Sequence, residues 1–185
     1  MPQKLMASLF QSVTLRTAGF ATISQEYFRP ASCMAYLILM FIGGSPAGTA
    51  GGIKTVTVVL LLASMFANIR GKKDVVVLNR KVSDDTIRRC VAIAVFSLST
   101  LFLLTMALLA VSQGDFLDTL YEMTSAIATV GLSRGLTGAL NPIGKIIVTL
   151  TMYLGRIGPI TMALAFNSRT PMEDVTYAES KVIIG

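Results

Sequence analysis

Thr17-Ala18-Gly19-Phe20 and Thr129-Val130-Gly131-Leu132 are the residues whose types and spacing suit a definite chemistry, and they stand at one offset, 112 positions from 17 to 129. A Thr-x-Gly turn after a short helix is what cation selection requires. Glycine lets the backbone rotate, so that successive carbonyl oxygens face an ion and replace the water it has lost. Potassium transport is the activity this predicts. Other chemistries find little to build on. The chain has no histidine and two cysteines, Cys33 and Cys90, both inside apolar segments and outside any CxxC pattern, which gives no disulfide framework or Cys/His metal site. They read as packing or lipid-facing residues. No carboxylates pair at a workable spacing, and the glycine-rich run follows no strand, so neither an enzyme's acid–base pair nor a phosphate loop is indicated.

The elements that must position the tetrads repeat with them. The same offset lays residues 36–44 over 148–156 without a gap. In the second copy the order reads as a span over 90–111, a polar link at 112–114, a short helix over 116–128, the tetrad, a glycine-rich return over 131–138 and a second span over 143–166. The short helix cannot cross a bilayer. A half-helix followed by extended backbone at membrane depth is tolerated only where protein encloses it around a watered cavity. Its C-terminal dipole end then favours a cation. In the first copy residues 2–15 stand for the short helix and 17–20 for the tetrad, with no outer helix ahead of them, so the chain reads as starting inside a repeat.

Composition places these elements in a bilayer: of 185 residues 53% are hydrophobic and 14% charged. The uncharged run 90–111 is long enough to cross ~30 Å of hydrocarbon. A third apolar region covers 33–67, and residues 43–52, with five glycines and a proline, interrupt what would otherwise be one helix from 31 to 67. The first thirty residues lack the pattern of a cleavable signal, which predicts insertion through the spans themselves. The net charge of +6 forms no nucleic-acid face. Seven of the sixteen Lys and Arg residues (Arg70, Lys72, Lys73, Arg80, Lys81, Arg88 and Arg89) lie in one loop. By the positive-inside rule the basic loop 70–89 and the C-terminal tail are cytoplasmic, and residues 1–30 and 115–142 face outward. Contact of the loop with anionic membrane lipid is compatible with that orientation. Arg156 lies deep in a span, where a charge is costly unless it faces a cavity or finds a partner; Glu122 and backbone carbonyls are the structural alternatives for it.

Five segments together resemble the Trk/Ktr/HKT superfamily of potassium transporters, within it the KtrB/NtpJ type of membrane subunit. They are residues 14–20, 41–55, 128–133, 152–159 and 177–181, and the likeness covers nearly the whole chain. The resemblance implies an all-α membrane protein built from helix–pore-helix–filter–helix repeats of the potassium-channel-like transporter fold. About one and a half to two of four repeats would be present: a third repeat over 1–70 without its first helix, a cytoplasmic basic loop over 71–89, a fourth repeat over 90–167 and a cytoplasmic tail over 168–185.

The resemblance also implies roles. Thr17, Ala18, Gly19 and Phe20 with Thr129, Val130, Gly131 and Leu132 would supply filter carbonyls for potassium, and glycine in both tetrads favours K⁺ over Na⁺. Gly43, Gly44, Ser45, Gly48, Thr49, Gly51 and Gly52 would form an intramembrane gate loop. Ser45 and Thr49 would bond freed backbone groups there, and Lys54 would hold a carboxylate or water when the path is shut. Arg156 would act as an electrostatic barrier below the filter. No cofactor is implied beyond K⁺ as the transported ion, with Na⁺ as a regulator or co-ion. The partners implied are membrane lipid, a second copy in a homodimer or the N-terminal repeats missing here, and a cytosolic nucleotide-binding ring subunit. The alternative is a non-conducting fragment or interaction subunit of a longer transporter, since two tetrads alone do not encircle an ion.

Overall fold

The computed structural model describes residues 2–45, 50–72 and 74–157. Among these residues seven α-helices follow in chain order: α1 (Pro2–Thr14), α2 (Pro30–Phe41), α3 (Thr55–Ile69), α4 (Asp84–Val111), α5 (Phe116–Ile127), α6 (Leu136–Ala139) and α7 (Pro142–Ile157). Two short strands, β1 (Val76–Val77) and β2 (Arg80–Lys81), lie between α3 and α4.

Local chemistry sets the ends. α2 begins at Pro30, which loses no hydrogen bond at a first helical position. Ser83 caps α4 by accepting from the Thr86 N–H at 3.4 Å, and Asp84 and Asp85 sit at the positive end of its dipole. Asp115 caps α5 through the Leu117 N–H, 3.3 Å away. Asn141 joins two elements at once: its amide donates to the Val111 carbonyl at the end of α4 (2.7 Å), and its Oδ1 accepts from the Gly144 N–H in the first turn of α7 (2.7 Å).

α4 is longer than the span read from the sequence. It starts at Asp84 rather than near Cys90, and its 28 residues extend for about 42 Å, more than the ~30 Å of hydrocarbon. Its uncharged part, 90–111, is by itself long enough for that crossing, and its first two turns carry Asp84, Asp85, Arg88 and Arg89. Among the described residues it is the one helix long and apolar enough to cross a membrane by itself; α2 and α3 are shorter and apolar. The expected span 143–166 is helical from Pro142 to Ile157, and its remainder lies outside the described residues.

α5 is the centre of the molecule. It packs against α2, α4 and α7, and every side chain from Tyr121 to Ile127 is buried. One apolar cluster joins Leu15, Cys33, Leu37 and Met40 to Tyr121, Ala128, Val130 and Leu132; a second joins Leu101 and Leu108 to Met123, Ile127, Leu140 and Val148. Cys33 and Cys90 are both buried, so packing is their role and not contact with lipid. The outer face of α4, with Val95, Leu98, Phe102, Leu103 and Met106, is exposed and apolar, as a lipid-facing surface is.

The basic loop holds a feature its sequence did not announce, an antiparallel hairpin pairing Val76 with Lys81 and Val77 with Arg80. Asp74 accepts from the Lys81 ammonium at 2.6 Å, and this hydrogen bond raises the lysine above its usual range.

Candidate functional site

The two tetrads share one backbone conformation. Thr17 and Gly19 have φ of +67° and +76°, and Thr129 and Gly131 have +55° and +90°. Each tetrad thus has two left-handed residues separated by one. Glycine takes this region without penalty, whereas a threonine there costs about 1–2 kcal/mol, so the surroundings must hold both threonines in place.

Hydroxyls in the last helical turn do part of that work. Thr14 at the end of α1 donates to the Phe20 carbonyl at 2.5 Å, and its own carbonyl accepts from the Ala18 and Gly19 N–H groups, each 3.2 Å away. In α5 the Ser125 hydroxyl accepts from the Gly131 and Leu132 N–H groups at 3.2 and 2.9 Å. Neither residue was singled out from the sequence. The available signal was a small hydroxyl six positions before the residue it braces (14 to 20, 125 to 131).

Three glycines from three parts of the chain close on the second tetrad and the end of the helix before it. A Cβ at Gly19 would collide with the carbonyl oxygen of Val130, so the first tetrad lies directly against the second. A Cβ at Gly51 would come within 2.5 Å of the Thr129 hydroxyl and 2.6 Å of the Ala128 carbonyl oxygen, and the Gly51 N–H donates to that hydroxyl at 3.1 Å. A Cβ at Gly155 would collide with the carbonyl oxygen of Ile127, in the last turn of α5. Gly19 and Gly51 were expected at the site. Gly155 belongs to it as well, through its contact with the helix that carries the tetrad.

The loop that brings Gly51 there is stapled at its neck. The Gly43 N–H donates to Ile53 O (2.9 Å), Ile53 N–H to Phe41 O (3.0 Å) and Thr55 N–H to Gly44 O (3.3 Å), which leaves Ile42 and Ile53 side by side as a parallel bridge. Lys54 donates to the Ala50 carbonyl at 2.5 Å, within the loop itself. Gly52 has φ of +69°, and its Cβ position lies 2.8 Å from the Phe41 carbonyl oxygen, so only glycine fits. Ser45 is exposed. Gly48 and Thr49 lie outside the described residues. Arg156 stands in the last turn of α7, exposed, beside the Gly155 contact. Glu122, considered above for Arg156, accepts from the Ser133 hydroxyl at 2.6 Å and from the Thr137 hydroxyl, both just beyond the second tetrad.

Behind the tetrads a polar junction ties the two copies together. Gln25 Oε1 accepts from Gln11 Nε2 (2.7 Å) and from the Tyr121 hydroxyl (3.0 Å). Arg134 donates to the Gln25 carbonyl (2.7 Å) and Cys33 Sγ (3.0 Å), and pairs with Asp118 at 2.7 Å. Gln11, Gln25 and Tyr121 are all buried. A buried group of this kind is satisfied only while α1, α5 and the segments after both tetrads keep their relative positions.

Comparison with known proteins identifies the fold and the family. The crystal structure of the potassium transporter TrkH from Vibrio parahaemolyticus superposes with a TM-score of 0.73 over 89% of this chain and 37% of that one, at 20% sequence identity. The protein therefore has the all-α fold of that transporter. A family model described as TrkH, cation transport protein, matches residues 1–176, and the chain belongs to that family. It is 41% identical over 182 residues to Ktr system potassium uptake protein B of Bacillus subtilis (strain 168), covering 98% of this chain and 41% of that relative. It is 31% identical over 192 residues to the potassium/sodium uptake protein NtpJ of Enterococcus hirae, covering 99% and 42%. The chain thus spans about two-fifths of the length of these curated relatives.

Proposed function

We propose that this chain contributes half of a potassium-conducting pore, as the third and fourth repeats of a KtrB-type membrane subunit. The observation that carries this reading is the pair of Thr-x-Gly turns with matching left-handed backbones, packed against each other at Gly19 and Val130. Carbonyls of Thr17, Ala18, Gly19 and Phe20 and of Thr129, Val130, Gly131 and Leu132 replace water around K⁺, and the C-terminal ends of α1 and α5 add favourable dipole. The loop that includes Gly43, Gly44, Ser45, Gly48, Thr49, Gly51, Gly52 and Lys54 gates the path below, with Arg156 as the barrier; the hydrogen bond from Gly51 to Thr129 supports this placement. The names of the relatives support K⁺ as cargo with Na⁺ as a co-ion. Further repeats complete the ring, a homodimer and a cytosolic nucleotide-binding ring are the partners, and the basic loop 70–89 and the C-terminus face the cytoplasm.

Reconstitution tests it. Residues 1–185 replace the matching part of the Bacillus relative in proteoliposomes, and K⁺ and Na⁺ fluxes are compared with Gly131→Ser and Gly131→Asp. The expected result is K⁺-selective flux, with discrimination weakened by serine and conduction lost with aspartate. Unchanged discrimination in Gly131→Ser would sink the filter assignment. The unmodified chain, reconstituted alone, then shows whether half a ring conducts by pairing with copies of itself.

A further inference from the structure

The hairpin between α3 and α4 carries a residue that both its backbone and water disfavour. Leu78 and Asn79 form its two-residue turn, with φ of +49° and +60°. A turn with both central residues left-handed suits asparagine and glycine; leucine there carries steric strain. The Leu78 side chain is also 93% exposed. A strained backbone position is a reason to look for function, and an apolar tip held out from the protein points to an apolar medium beyond it.

The rest of the hairpin is sided in the same sense. Val75, Val77 and Val82 are half-buried, with the Val82 N–H donating to Val75 O at 2.9 Å, and β1 lies against α3. Val76, at 57% exposure, and its cross-strand partner Lys81 face away from the protein. Arg70, Lys72, Arg80, Arg88 and Arg89, in the hairpin and the segments flanking it, are exposed as well. Residues 70–89 hold seven Lys and Arg against three Asp, a balance of +4 (7 − 3). The position is fixed by the helices on either side. The hairpin joins α4 at Ser83, where the helix has already outrun the hydrocarbon, so it stands at the level of lipid headgroups. An apolar tip ringed by cations at that depth matches a leaflet of anionic lipid.

We propose that the β1–β2 hairpin is a bilayer anchor: Leu78 and Val76 enter the acyl boundary while Arg80, Lys81 and the neighbouring cations bind anionic headgroups. The chain has no tryptophan, so Leu78→Trp places a single reporter at the tip and Val76→Trp a second one on regular strand backbone. The full chain is reconstituted in vesicles of phosphatidylcholine with brominated acyl chains, with and without phosphatidylglycerol. Both reporters are expected to emit at shorter wavelength and to be quenched severalfold by the bromines, more strongly with phosphatidylglycerol. Arg80→Gln with Lys81→Gln removes the lipid dependence, and added salt weakens it. Water-like, unquenched emission from both positions in both lipids would overturn the anchor. A blue shift that arises only when a soluble cytosolic partner is added would equally overturn it, and would assign the hairpin to a protein interface.

Discussion

Gly43 and Gly155 hold the same place in the repeated pattern, 112 positions from 43 to 155, and at both a Cβ would strike a backbone carbonyl. The carbonyls differ. At Gly43 it is that of Gly51, in the same loop; at Gly155 it is that of Ile127, at the end of α5. In the first copy Gly44, Ser45 and Pro46 follow and helix α2 has already stopped at Phe41, while in the second Arg156 and Ile157 continue α7. The interruption in the first copy frees a loop long enough for Gly51 to reach Thr129 of the second. One repeated glycine therefore lets a loop close on itself in one half and makes a helix contact in the other. The surroundings diverge likewise: Val130 and Leu132 are buried, whereas Phe20 is 71% exposed and α1 presents Leu5, Met6 and Leu9 outward.

The largest effect should separate these two glycines. Gly155→Ala drives a methyl group into the backbone of α5, which is packed on three sides and has nowhere to move, so it should cost about 3 kcal/mol. Unfolding midpoints in detergent measure this. Gly43→Ala strikes the backbone carbonyl of Gly51, which lies in a loop rather than a helix and must shift, at a smaller stability cost of about 1–2 kcal/mol. That shift pulls Gly51 away from Thr129, and K⁺ flux should rise severalfold. Equal destabilisation by the two changes would break the comparison.

The next contrast lies within the tetrads. Gly19→Ala and Gly131→Ala both force alanine into a left-handed conformation, at about 1–2 kcal/mol. Gly19→Ala alone adds a collision, with the Val130 carbonyl, while nothing lies within 4 Å of a Cβ at Gly131. It should therefore be the less stable variant by a further ~1–3 kcal/mol, and should lose more K⁺/Na⁺ discrimination in flux assays. If Gly131→Ala proves the more damaging, the tetrads do not pack against each other as described.

Much of this arrangement was legible in the residues. The tetrads showed themselves by repetition, α5 by its length between Asp115 and the second tetrad, and the break after Phe41 by five glycines and a proline. What stayed hidden was contact across distance. Glycine announces that some backbone will come close but not which one, so Gly155 against Ile127 could not be read locally. The junction of Gln25 with Tyr121 and Arg134 bridges positions 96 and 109 apart and has no periodic signature. The hairpin hid for another reason: its turn carries Leu78 where glycine would have marked it.

The smallest contrast tests the hydroxyl braces. Ser125 accepts from two amides, and Thr14 donates to one carbonyl. Ser125→Ala leaves the buried Leu132 N–H without its acceptor and loosens Gly131, which should cost about 1–3 kcal/mol. Thr14→Val keeps the volume and strands only the carbonyl of Phe20, a residue exposed enough for water to replace the lost donor, so about 1 kcal/mol or less is expected. In flux assays Ser125→Ala should therefore lower K⁺/Na⁺ discrimination more than Thr14→Val does, and Ser125→Thr, which keeps the acceptor, should recover most of the loss. Recovery of stability without recovery of discrimination would show that Ser125 supports α5 alone. Recovery of both would show that the second tetrad owes its shape to a hydroxyl on the helix before it.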